Sequence, residues 1–141
     1  MDIILAPDVY VNASVAPATT PDRVVQRVLG QHKGESKVTE WILARVGAML
    51  SQLPAFKGDA VKGQVDLIRS FVKVVPGAES FKADAWADAL VASARAAGVG
   101  RVVTDHPDLL KLEDSRGVEF ISTETWLLEV TTPPPPPPGV K

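Results

Sequence analysis

Cysteine is absent from the 141 residues. Disulfides, thiolate metal sites and cysteine nucleophiles are excluded with it. No stretch approaches the roughly 18 consecutive apolar residues that a membrane-crossing helix needs. The opening MDIILAPDVYV has no basic start, and Pro7 and Asp8 break its apolar run, so it does not read as a signal peptide. With neither leader nor membrane span, the expected location is the cytoplasm. Positive charge is not in excess either. The formal charge is -2, and no overall field draws in nucleic acid. HExxH, the P-loop and GxGxxG are all missing, and no serine sits in a nucleophile elbow.

What is present is enough apolar material, 45% of residues, to fill the core of one domain of this length. Charge is uneven: residues 1–75 carry 9 Lys/Arg against 7 Asp/Glu, and residues 76–141 carry 6 against 10. Ile3 to Leu5 is a short, uniformly apolar run that suits a strand buried on both faces. Thr20 followed by Pro21 reads as a helix start, with Val24, Val25, Val28 and Leu29 as its stripe and Gly30 and Gly34 as a loop. A short strand follows near Lys37–Val38. Thr39 then caps a helix carrying Ile42, Val46, Met49 and Leu53. Asp59 caps the next, with Val61, Val65, Ile68 and Val72 on one face. VKVV at 72–75 is a strand closed by Pro76-Gly77.

A helix from about Asp84 to Ala97 ends at Gly98. RVVT at 101–104 is a strand, Asp105 to Leu112 a helical turn, and VEFI at 118–121 a strand. Thr123-Glu124 opens a last helix. Short β-branched strands alternating with helices predict a three-layer α/β/α sandwich with a mostly parallel sheet. In such folds functional groups gather at the C-terminal strand ends, here Ala6-Pro7-Asp8, Thr39-Glu40, Pro76-Gly77 and Thr104-Asp105-His106. The domain is expected to span residues 1–131. Residues 132–141 form a proline-rich tail, with six prolines from Pro133 to Pro138, either a stiff spacer or a ligand for an aromatic-lined groove.

Three stretches, in this order, resemble the PIN domain family, most nearly its VapC-like bacterial type. IILAPDVYVNASV resembles the family's opening strand and turn. DALVASARAAGVGRVVT resembles its acidic helix and fourth strand. HPDLLKL with GVEFISTETWL resembles its closing turn, fifth strand and final helix. The resemblance implies strand order 3-2-1-4-5. It also implies a metal-dependent ribonuclease, in which three or four carboxylates hold Mg²⁺ or Mn²⁺. Such hard cations prefer oxygen ligands, and they activate water beside the scissile phosphate.

Carried over by position, the family's four acidic ligands fall on Ala6, Arg45, Asp88 and His106. Only Asp88 is acidic, while Asp108 matches the motif's final aspartate. Alanine cannot ligate, arginine repels a cation, and histidine suits Mn²⁺ better than Mg²⁺. A displaced site is the alternative: Asp8, Asp88 and Asp108 as catalytic carboxylates, with Asp8, Asp88, Asp105 and His106 as metal ligands and Asp84 one helical turn before Asp88. Against that, Asp88 pairing with Arg45 would put a cation where the metal sat. Asp84 and Asp105 also suit helix caps, and Asp108 a solvated position. Two functions follow. One is a ribonuclease of the toxin type, with RNA as substrate and an antitoxin-like protein as partner. The other is a non-catalytic module of the same fold that binds RNA or a protein. Resembling proteins often form homodimers.

Elsewhere the residues have plainer readings. His32 lies in a polar loop. Trp41, Trp86 and Trp126 sit on predicted helices and suit a core or interface. Arg23, Arg27, Lys33 and Lys37 form a modest basic group, either solvated or touching phosphates.

Overall fold

The computed structural model describes residues 3–31, 36–132 and 139. His32, Lys33, Gly34 and the six prolines lie outside the described residues. Seven helices and six strands are present among those described. They form a mixed α/β structure with an open, mostly parallel sheet.

The central strands are β1 (Ile3–Leu5), β4 (Arg101–Val103) and β6 (Val118–Ile121). β4 pairs in parallel with β1 on one side and with β6 on the other. β5 (Asp114–Ser115) adds an antiparallel edge to β6. β2 (Lys37–Val38) and β3 (Lys73–Val74) make a separate parallel pair, and β2 approaches β1 without joining its ladder. The uniformly apolar runs are explained by burial: Ile3, Ile4, Leu5, Val102 and Val103 are all buried.

Helix α1 (Pro7–Val15) was not expected as a helix. Its run of valines, tyrosine and asparagine has poor helix propensity, and its first half, Pro7 to Val11, is buried. No amphipathic stripe marks such a segment. Packing against α2 (Thr20–Gln31) and α3 (Glu40–Leu50) overrides propensity there. α2 begins at Thr20 itself and runs through Gly30, where a loop was expected.

α4 (Asp59–Phe71) takes Gly58, not Asp59, as its N-cap. α5 (Trp86–Ala97) lies against β1, β2 and β4 and buries Ala89, Leu90, Val91, Ser93, Ala94 and Ala97, and Gly98 ends it in the left-handed region at φ 72°. α6 (Pro107–Leu110) is the expected helical turn. α7 (Thr123–Thr131) is capped by Ser122, whose side chain accepts from the Thr125 N–H. The β5–β6 hairpin was also missed, because a two-residue strand carries no periodic signal. No described helix is long and apolar enough to cross a membrane.

Candidate functional site

The C-terminal ends of β1, β4 and β6 lie side by side. The Ala6 N–H continues the ladder by donating to Val103 O at 2.9 Å, and the Thr104 N–H donates to Ile121 O at 2.9 Å. Just beyond, Pro7 at the first helical position turns the chain into α1. Asp8 therefore sits in the first turn of α1, over the end of β4.

Asp8 is buried, at 8% exposure. Its Oδ1 accepts from Thr104 Oγ1 at 2.8 Å and its Oδ2 from the Asp105 N–H at 2.8 Å. Thr104 Oγ1 also accepts from the His106 N–H at 3.1 Å. Burial pushes the Asp8 carboxyl above its usual range. The bonds from Asp105 N–H and Thr104 pull the other way, and the nearby Asp105 charge adds to the rise. Asp105 is itself occupied. Its Oδ1 accepts from the Thr123 N–H at 3.0 Å and its Oδ2 from Thr123 Oγ1 at 2.7 Å.

His106 is the N-cap of α6, its Nδ1 accepting from the Asp108 N–H at 3.2 Å. The proton of the neutral ring therefore belongs on Nε2. Its ring leans on Trp86 at 5.5 Å between centroids, and Trp86 meets Trp41 edge-on at 5.8 Å. Trp41 is buried and donates from Nε1 to Lys82 O at 3.0 Å.

Asp8, Asp105 and His106 are thus brought together by one hydrogen-bonded chain. Asp88 is engaged elsewhere: its exposed carboxylate pairs with Arg116, in the turn between β5 and β6. The expected partner Arg45 is not the one used. Arg45 lies on α3 beside a small pocket of about 260 Å³ that also borders Glu40, Trp41, Glu79 and Phe81. The strand-end alignment read from sequence missed Arg116 because the hairpin that presents it was missed. Asp84 and Asp108 are exposed; Asp108 contributes its backbone N–H to the His106 cap. Ala6 is fully buried.

The donor set does not fit Mg²⁺ or Mn²⁺. A hard divalent ion needs several converging oxygens. Here both oxygens of Asp8 and both of Asp105 accept from protein donors, and Asp88 faces a guanidinium. Among the described residues no three His, Asp or Glu side chains form a group able to hold a metal.

Thr104 and Thr123 read in the sequence only as a strand end and a helix start, and the bonds of their hydroxyls to Asp8 and Asp105 were not expected. Each is a threonine at the first position beyond a strand end or at a helix start, where a hydroxyl reaches neighbouring backbone and carboxylates. A second buried hydroxyl pair, Thr39 Oγ1 and Ser93 Oγ at 2.7 Å, ties the start of α3 to α5. It replaces the side-chain cap expected of Thr39, which makes no cap bond.

Away from the strand ends, α1, α2 and α4 border a groove of about 550 Å³, lined mainly by apolar side chains such as Val25, Leu29, Leu67 and Phe71. Leu67 is 52% exposed there. Compared with protein-family models and with curated proteins, the chain matches none.

Proposed function

We propose that this chain is a non-catalytic module of the PIN-like fold, which acts by binding another protein rather than by cleaving RNA. The observation that carries the reading is Asp88. By the resemblance it is the one family ligand still acidic, and its carboxylate is paired with Arg116. Ala6, Arg45 and His106 stand at the other ligand positions, and among the described residues no third carboxylate joins Asp8 and Asp105. The strand arrangement supports the family reading. The β3–β2 pair lies beside β1, followed by β4 and β6, in keeping with order 3-2-1-4-5 when VEFI is counted as the fifth strand.

A protein partner is favoured over RNA by charge and surface. The net charge is -2, and the groove among α1, α2 and α4 is apolar, with acidic Asp22 as its charged lining residue. Nucleic-acid binding depends on releasing counterions with clustered lysine and arginine.

Calorimetric titration of Mn²⁺ into wild type and Asp88→Asn, run alongside an RNA-cleavage assay, tests the reading. The expected result is no saturable heat and no metal-dependent cleavage. Saturable binding or cleavage that Asp88→Asn abolishes would restore the ribonuclease. Salt-sensitive binding of labelled single-stranded RNA, without cleavage, would replace the protein partner by RNA.

A further inference from the structure

We infer that Asp8, Thr104, Asp105 and Thr123 form a metal-independent clasp that holds the C-terminal ends of β1, β4 and β6 together. Parallel neighbours are joined by long crossovers, so no tight turn ties adjacent strand ends to one another. Something else must hold them where the ladder stops. In this chain it is a relay of four hydrogen bonds, each between 2.7 and 3.0 Å. Asp8 follows β1 and takes two donors from the residues that follow β4. Asp105, which follows β4, takes two donors from Thr123 at the start of α7, directly after β6.

Two of the four donors are backbone N–H groups with no partner in a strand or helix, those of Asp105 and Thr123. The Thr123 N–H lies at a helix start and that of Asp105 in the turn before one, and buried or part-buried donors of this kind need an acceptor. A carboxylate is the strongest that a side chain can offer. Thr104 and Thr123 are fully or almost fully buried, so water is a poor substitute for either acid. No side-chain nitrogen or oxygen buried among the described residues lacks a partner.

The geometry also makes the relay directional. Asp105 serves Asp8 with its main chain and Thr123 with its side chain. Removing Asp8 releases the Asp105 backbone, which then holds its carboxylate less firmly against Thr123. Asp8 and Thr123 are therefore coupled although they share no bond. The four bonds use both oxygens of each acid, and none of them needs an ion to form. The inference stands on these bonds alone and does not depend on the PIN-like reading.

Thermal unfolding of the full chain tests it, using wild type, Asp8→Ala, Thr123→Val and the double variant, each with EDTA and with Mn²⁺. Each single substitution is expected to lower Tm by about 5 to 10 °C. The double variant should lose clearly less than the sum of the two. Neither EDTA nor Mn²⁺ should move any Tm by more than about 1 °C. Additive losses would overturn the relay. A Mn²⁺-dependent rise in wild type that Asp8→Ala removes would replace the clasp with a metal site. If the variants fail to fold, hydrogen exchange in wild type decides: the Asp105 and Thr123 amides should be protected like those of β4, and fast exchange at both would overturn the clasp. Metal-dependent RNA cleavage together with metal-insensitive Tm and coupled variants would sink the proposed function and leave the clasp standing.

Discussion

Gly77 is where β3 gives way to the segment leading into α5, and Gly77→Ala tests how tightly that helix is seated. Two independent penalties apply. The backbone there has φ 145°, a conformation that L side chains rarely adopt and that costs about 1 to 3 kcal/mol. A Cβ built at this position would also come 2.5 Å from the Cβ of Ala96 on α5, with Thr39 Cγ2 at 3.9 Å. No flexible side chain can yield, because the nearest atom is fixed to the helix backbone. Overpacking of this kind costs about 1 to 3 kcal/mol more. The middle of the combined range, about 4 kcal/mol, corresponds to a fall of roughly 10 to 20 °C in Tm for a chain of this length. Differential scanning calorimetry reads it directly. Ala96→Gly in the same chain removes the steric part but not the φ part, and itself costs about 1 kcal/mol of helix propensity. The double variant should therefore recover part of the loss and no more. Gly77→Ala within about 2 °C of wild type would refute the close approach of α5, and full recovery in the double variant would refute the backbone cost.

Leu90 is fully buried on α5, so Leu90→Ala should cost about 2 to 5 kcal/mol in urea unfolding with an unchanged m-value. Arg116→Met removes the partner of Asp88 from a pair whose side chains are 53% and 55% exposed; Tm should move by no more than about 3 °C. The sign for Asp8 follows from its raised folded pKa. A raised acid contributes stability that is fully present below the unfolded value, 3.8, and is lost as pH rises through the folded value. Wild type should therefore gain on Asp8→Asn as pH falls through the window just above 3.8, in urea unfolding at a series of pH values. Glu40 and Glu129, held below the usual range first by hydrogen bonds from Arg69 and Arg101, act in the opposite sense but are common to both proteins and cancel in the comparison.

The strands were legible because burial on both faces leaves an unbroken apolar run, as at Ile3 to Leu5 and Val102-Val103. Helices with one wet face were legible from their stripes, as in α3 and α4. α1 was not, since a segment buried around its first turns has no polar face to reveal its period. At the strand ends the acids themselves could be picked out, but not what they bond. Asp8 and Asp105 look the same in sequence whether they wait for a metal or cap backbone donors. The difference lies in the donors that the fold brings to them, the Thr104 and Thr123 hydroxyls and two backbone N–H groups, which come from segments far apart in sequence. Arg116 was equally hidden, because it sits in the turn that follows a two-residue strand.

Ala6 shows why a single reversion cannot rebuild a metal centre here. The residue is fully buried, at the point where β1 passes into α1. A carboxylate introduced by Ala6→Asp would lose its water, which penalises its charged form. The oxygens it would need as co-ligands are bound to Thr104, Thr123 and two backbone N–H groups. Drawing Asp8 toward a cation would shift oxygens that accept from Thr104 and from the Asp105 N–H, and would strain the bonds that hold β1 to β4. Ala6→Asp should therefore lower Tm at neutral pH, less so under acid conditions where the new carboxyl is neutral, and added Mn²⁺ should not restore it. If Mn²⁺ did restore it, Asp8 and Asp105 would be ligands held in reserve, and their hydrogen bonds a resting arrangement that yields to an ion.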